Sequence, residues 1–530
     1  MSGAATGMMT ASAPAPLQTL AEVLAELPPR LVDLARRGAL RWPDQPAMSE
    51  PGGASITYGA FASAVEAAAR QLAALGVRGG DRVMIVNENC IAAALVFFAA
   101  SALDAWPMLV NARLSAREID TIAGHAEPRR VFFTVGLSAE ARAQAERFHA
   151  TPSDLPGVVA GALAVSPLRE AKPEPVSGDP VRDVAALIYT SGTTGMPKGV
   201  MLSHRACLYV ASSPGAQRRP TPEDLVYCAL PIAHIFGFTS TWLRALYGGA
   251  HVLLTPRFSV EHLANALEHG LTIHQGVPQM YAKLLEYART SGRTLKAPQL
   301  RMATVGGAPI EPELKEAVEH ALGVRLVNGW GMTEFASTVS RSLPQHTGRD
   351  ISAGPVLPGI EVCIVDEKGR DMPKGEAGEI WLRGPNCMLG YYKNEAATRD
   401  VLTADGWYKT GDLGSVAADG ALSIVDRIRD LIIVSGFNVY PAEVEAELTA
   451  HPAVTLAAVI GRRRAGNEEV IAFVQPAPGA NVSEAELAQF LKPRLAPYKQ
   501  PARIVVMEQL PAAPTGKILK AQLKAISESL

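Results

Sequence analysis

No two of the five cysteines in this 530-residue sequence are spaced CxxC, and an odd total leaves one without a mate. That argues against a disulfide framework or a structural zinc site and fits a reducing cytoplasm. Excess charge is also lacking. The formal net charge is −2, so no overall basic surface draws in nucleic acid or an anionic membrane. The N-terminus has no basic segment followed by an apolar core, so residues 1–28 read as a loose tail, not a secretory signal. The longest apolar run, "CIAAALVFFAASAL" at 90–103, is short for a membrane span and reads as a buried helix. Peripheral membrane contact and oligomeric state are left open. Internal repeats, long low-complexity linkers, a GxGxxG fingerprint and a GxxxxGK[ST] loop are all missing.

What is present is a chain rich enough in apolar residues to build large cores. Hydrophobic residues make up 48% and charged residues 19%, against global disorder. The length exceeds one ordinary core. Thr57 can cap a helix whose face carries Phe61, Val65, Ala68 and Leu72, with Gly76 to end it. "DRVMIV", "RRVFFTV", "AALIYT", "HVLLT", "LRMATVGG" and "VRLVNGWG" read as strands separated by helical stretches. That alternation predicts an α/β fold with parallel-rich sheets. From about 354 to 426, short strands divided by charged glycine turns predict a β subdomain. After "DRIRD" a small α+β unit begins, which divides the chain into 1–428 and 429–530. Within it, Ser483 and Glu486 have capping-box spacing. "GRRRAG" at 461–466 reads as a solvated basic loop, with contact to nucleotide phosphates as the rival reading.

The apolar run "DVAALI" ends at "YTSGTTGMPKGV", residues 189–200. Gly192, Gly195 and Gly199 allow backbone N–H groups to approach a ligand. Thr190, Ser191, Thr193 and Thr194 add hydroxyls, and Lys198 adds a mobile charge. The composition suits a triphosphate, and equally a flexible loop.

The string resembles the signature of the adenylate-forming superfamily, which includes acyl-CoA synthetases, luciferases and peptide-synthetase adenylation domains. "LPIAHIFGF" (230–238), "NGWGMTE" (328–334), "YKTGD" (408–412), "DRIRDLIIVSGFNVYPAEVE" (426–445) and "PTGKILK" (514–520) resemble its other motifs, in the same order, over roughly residue 31 to the C-terminus. The resemblance implies a large N-terminal domain and a small mobile C-terminal lid. It implies ATP, Mg²⁺ and coenzyme A as reactants, with Thr190 and Glu334 at the metal and Thr333 near phosphate. It places adenine against Gly307, Ala308 and Pro309 and against Asn328, Gly329, Trp330, Gly331 and Met332. Trp330 offers a flat face, or serves as core. Asp412 can accept ribose hydroxyls, and Arg427 can reach ribose or phosphate. His234 is implied at the junction of acyl and pantetheine tunnels. Lys517 is the implied catalytic cation for adenylate formation. Arg429 is the implied hinge, and Ser435, Gly436 and Phe437 the implied thiol channel.

The acyl pocket is expected from His234, Phe236, Phe238, Ser240, Val305 and Gly306. No Arg or Lys lies in the segments that supply it, so a second carboxylate is disfavoured. A medium or long fatty acid and an aromatic acid both fit. The expected activity is an ATP-dependent acyl-CoA synthetase. A ligase that loads a separate carrier protein and a non-catalytic nucleotide- or acyl-binding regulator are the rivals.

Overall fold

The computed structural model describes residues 19–157, 161–190, 197–214, 219–343, 345–434, 437–464, 467–513 and 518–529. Side chains at 429, 437, 438, 464 and 467 are outside that description. The fold is the expected α/β architecture, with a separate β subdomain and a small C-terminal unit.

Two parallel-rich sheets carry the large domain. The first runs, in spatial order, through Ser337–Arg341, Leu326–Met332, Met302–Val305, Ile273–Gly276, Leu225–Cys228, His251–Leu254, Pro46–Ser49 and Ser55–Thr57. Its interior pairings are parallel. The second is centred on Arg82–Asn87, fully buried, between Trp106–Asn111 and Arg130–Phe133. Strands buried on both faces read as continuous apolar runs, which is why "DRVMIV" lacks alternation.

The apolar run forms helix Ile91–Ala102, with Ile91 through Ser101 all buried. It packs on helix Tyr58–Ala74, where Phe61 meets Phe98 at 5.3 Å between ring centres. Thr57 caps that helix as expected, its hydroxyl accepting from the Ala60 N–H at 3.2 Å. On its other side Phe97 meets Phe238 at 5.1 Å and Trp242 at 5.6 Å. The last two belong to a π-helix, Phe236–Leu243, which sequence did not reveal. Gly237 makes it possible: a Cβ there would sit 2.3 Å from the Pro231 carbonyl oxygen.

The described flanks of "YTSGTTGMPKGV" lie in a three-stranded sheet. Val184–Thr190 pairs antiparallel with Lys198–Ser203, setting Thr190 opposite Lys198. Gly390–Tyr391 pairs on the far edge. The β subdomain is a four-stranded antiparallel sheet whose strands Tyr408–Val416 and Leu422–Arg427 put Asp412 opposite Arg427.

The C-terminal unit folds Val454–Arg464, Asn467–Pro476 and Arg503–Val506 into one sheet. Val444, Leu448, Val459, Ala472, Leu487 and Leu491 share its core. Asp426, on the preceding strand, accepts from the Ala442 N–H at 3.1 Å. A carboxylate thus caps helix Pro441–Thr449 from outside the unit.

Three expectations are corrected. The loose tail does not extend to residue 28: Leu20–Glu26 is a helix with a capping box from Thr19 and Glu22, and Val23 is buried. Over its described part "GRRRAG" is not a solvated loop, because residues 461–464 continue a strand and the half-buried Arg462 pairs with Glu469 at 2.7 Å, while residues 465 and 466 lie outside the described residues. Ser483 does cap its helix, accepting from Glu486 N–H at 3.2 Å. The Glu486 carboxylate turns instead to His451, 3.8 Å away.

Candidate active site

One cleft of about 2270 Å³ collects most of the motif residues. Glycines let its walls come close. Gly306 follows strand Met302–Val305, and a Cβ on it would lie 3.0 Å from the Gly329 carbonyl oxygen and 3.6 Å from the Phe236 ring. Gly307 takes φ +80, a left-handed turn open to glycine, and carries the chain on to Ala308 and Pro309 at the cleft wall. The facing hairpin bulges between Trp330 and Gly331. A Cβ on Gly331 would sit 1.6 Å from the Ser337 carbonyl oxygen. Asn328, Gly329, Trp330, Gly331 and Met332 all line the cleft. The Asn328 amide is spent on the backbone, donating to the Ile351 carbonyl at 2.7 Å.

Trp330 does more than offer a face. Its indole N–H donates to Asp412 Oδ2 at 3.1 Å. Arg427 Nε lies 3.2 Å from Asp412 Oδ1. The Asp412 carboxylate, 6% exposed, is therefore gripped from both sides and fixed in direction. A carboxylate oxygen can accept more than one donor, so ribose hydroxyls remain compatible with this grip.

Glu334 stands in the short turn Thr333–Phe335 at the cleft wall. The Tyr391 hydroxyl donates to its Oε1 at 2.8 Å. Lys198 Nζ lies over the same Tyr391 ring, 4.6 Å from its centre. Tyr391 thereby ties Lys198 to Glu334. Burial and then the Glu334 charge hold the Tyr391 phenol well above its ordinary range, so it stays a donor. Sequence reading missed Tyr391. Its only signal is a tyrosine pair after a glycine in "LGYYKN", 57 residues beyond Glu334.

His234 is exposed in the cleft, just before the π-helix. Its Nδ1 accepts from the Phe236 N–H at 3.3 Å. In the neutral ring this leaves the proton on Nε2. Phe236 lines the cleft with Ser240 and Val305. Ser240 shares hydrogen bonds of 2.8 Å with the hydroxyls of Ser337 and of Thr338.

Phe238 does not join them. It is 0% exposed and stacked edge-on in the core with Phe97. Positions two apart on a helix face different ways, so a cleft-facing Phe236 sends Phe238 inward. The segments expected to supply the acyl pocket hold no Arg or Lys, but residues outside them bring cations to the cleft. Arg244 and Arg341 line the same cleft.

Thr190 and Thr333 line the cleft as well. Ser191, Gly192, Thr193, Thr194, Gly195, Ser435, Gly436 and Lys517 lie outside the described residues. So do the side chains of Arg429, in the turn Ile428–Asp430, and of Phe437, at the start of Phe437–Val439. The flanks of Lys517 are described. Ala512 bridges to Ile518, and Ala513, Leu519 and Lys520 line the cleft with them.

The chain matches the AMP-binding enzyme family over residues 35–392 and the AMP-binding enzyme C-terminal domain over residues 443–517. It is 33% identical over 489 residues to 4-coumarate–CoA ligase-like 2 of Arabidopsis thaliana, across 88% of this chain and 85% of that one. It is 34% identical over 501 residues to feruloyl-CoA synthase of an Amycolatopsis species, across 93% and 99%. Among solved structures, ATP-bound MatB from Rhodopseudomonas palustris matches with a TM-score of 0.82 at 28% identity, covering 94% of this chain and 99% of that one. The chain belongs to the AMP-binding enzymes, the adenylate-forming superfamily.

The hairpin geometry gives a first prediction. Gly331→Ala must displace the Ser337 backbone, because its Cβ would lie 1.6 Å from that carbonyl. It should cost about 1–3 kcal/mol and abolish the rise in melting temperature on adding AMP. Gly329→Ala meets its nearest neighbour at 3.3 Å and should retain most of that rise. Thermal melts with and without AMP check both.

Proposed function

We propose that this AMP-forming acid–thiol ligase activates an aromatic acid of the cinnamate or benzoate type and transfers it to coenzyme A. The observation that carries the reading is convergence. The flanks of Lys517 in the C-terminal unit line the same cleft as Asp412, Glu334 and His234. The relatives named above, a 4-coumarate–CoA ligase-like protein and a feruloyl-CoA synthase, support a ring acid. So does the wall itself: Phe236 offers a flat face, while Ser240 and the buried Arg244 make a long alkyl tail costly to seat.

A carboxylate cannot lose oxide, so it must first be given a better leaving group. A carboxylate oxygen attacks the α-phosphorus of ATP, and the bond to the β-phosphate oxygen breaks. Acyl-AMP and pyrophosphate result. The coenzyme A thiol then attacks the acyl carbon, loses its proton, and AMP departs. Lys198 and the loop 191–195 hold the departing β- and γ-phosphates. Trp330 and Arg427 aim Asp412 at the ribose. His234 orients the acid's carboxylate through Nε2–H. Lys517 places its charge between the carboxylate and the α-phosphate as the bond forms.

Glu334 and Thr190 suit a magnesium ion that arrives with the nucleotide. One carboxylate and one hydroxyl are enough for an ion that takes its other ligands from phosphate and water. Tyr391 occupies Glu334 Oε1 and so turns the carboxylate rather than neutralising it. When bound, the ion supplies charge neutralisation on the phosphates.

For the thiol step the C-terminal unit turns about Arg429, withdrawing Lys517 and bringing Ser435, Gly436 and Phe437 to the channel. The Asp426 bond to Ala442 N–H ties the unit to the strand that precedes it.

Two outcomes test this. Pyrophosphate release measured over a panel of acids should depend on acid and favour ring acids. A preference for decanoate over every cinnamate or benzoate would overturn the aromatic reading. Lys517→Ala should slow adenylate formation by about 10²–10³ and spare thioester formation from supplied acyl-AMP. Equal loss in both half-reactions would contradict the two-orientation scheme.

A further inference from the structure

Arg244 begins helix Arg244–Gly248, which continues the π-helix. It stands four residues after Ser240, one helical turn on, and both line the cleft. The residue is 8% exposed. A terminal nitrogen donates to Met302 Sδ at 3.4 Å, a weak acceptor. Its Nε is buried without a hydrogen-bond partner among the described residues.

The surroundings are cationic. Burial first, then Arg341, Arg301 and Arg219, push the Arg244 pKa down to about 9, with Asp224 opposing. Asp224 is already engaged: Arg301 Nε donates to it at 2.7 Å, and Thr221 N–H and hydroxyl donate at 2.7 and 3.0 Å. Arg341 brings a second guanidinium to the cleft, one nitrogen donating to the Pro214 carbonyl at 2.9 Å and Nε again unpartnered among the described residues. A guanidinium keeps its charge at neutral pH. Buried positive charge whose neighbouring carboxylate is already engaged is costly. An acceptor that enters with the substrate would relieve that cost.

Strand Met302–Val305 gives the scale. Met302 touches Arg244, whereas Gly306, just past Val305, lies against the Phe236 ring. The four residue steps between them cover about 13 Å. A three-carbon diacid cannot bridge that distance. A ring acid carrying an oxygen opposite its side chain can.

We propose that Arg244 is a specificity-determining residue that binds an acceptor oxygen, phenolic or carboxylate, at the end of the acid remote from the reacting carboxyl. The proposal rests on the aromatic reading for the shape of the acid, and on the buried Arg244 Nε, without a partner among the described residues, for its far end.

The test is kcat/KM for pyrophosphate release with cinnamate, 4-hydroxycinnamate and 4-carboxycinnamate, in wild type and in Arg244→Met. Wild type should favour one oxygen-bearing acid over cinnamate by about tenfold or more. Arg244→Met should bring that ratio to about one. Which acid is favoured identifies a phenol or a second carboxylate as the recognised group. The same ratio from Arg244→Gln decides the matter if the methionine variant does not fold. An unchanged ratio in a folded variant, or a wild type that favours cinnamate itself, would overturn the proposal. If ring acids are refused, but an α,ω-dicarboxylate outruns the alkanoate of equal length and Arg244→Met removes that advantage, the aromatic reading falls and the role of Arg244 stands.

Discussion

Two anions that repel each other must meet in this cleft, and the structure is organised around that repulsion. A carboxylate and a triphosphate approach only if cations, oriented donors and exclusion of water compensate. The groups proposed to do this are distributed over separate parts of the chain. Lys198 comes from one sheet, Glu334 from the wall of another, Asp412 and Arg427 from the β subdomain. The flanks of Lys517 come from the C-terminal unit. Such a division allows the cleft to be assembled by closure and taken apart again.

Several side chains in the cleft are fixed by their neighbours. Trp330 and Arg427 hold Asp412 in one direction. Tyr391 couples Lys198 to Glu334. Phe236 N–H selects the tautomer of His234. Each device removes conformational freedom from a group before substrate arrives, which is how electrostatic stabilisation is made available without reorganisation. The glycines serve the same end: Gly237 and Gly331 each stand where a side chain would collide with a neighbouring backbone carbonyl, and Gly306 where one would crowd it.

Local rules carried much of the fold. The Thr57 cap, the buried strand Arg82–Asn87 and the apolar helix Ile91–Ala102 were all legible, because propensity, capping and burial agree there. Motif strings located Asp412, Arg427, Glu334 and His234, and the cleft gathers them. Features that depend on distant packing were not legible. Phe236 and Phe238 are indistinguishable as letters, and only the π-helix decides which faces the cleft. Tyr391 reaches Glu334 through a sheet edge that no local pattern announces. Arg244 lies one turn past the segment taken for the acyl pocket, so its charge escaped notice. "GRRRAG" looked like a loop because its arginines are polar, yet a partner strand carrying Glu469 makes Arg462 a cross-strand pair.

The claim on which everything else rests is that the acid is activated as an acyl-adenylate before any thiol takes part. Exchange of labelled pyrophosphate into ATP, with acid present and coenzyme A absent, measures that step alone. The account predicts exchange that requires the acid and proceeds without coenzyme A. Exchange that requires coenzyme A, or turnover that yields ADP and orthophosphate, would contradict it.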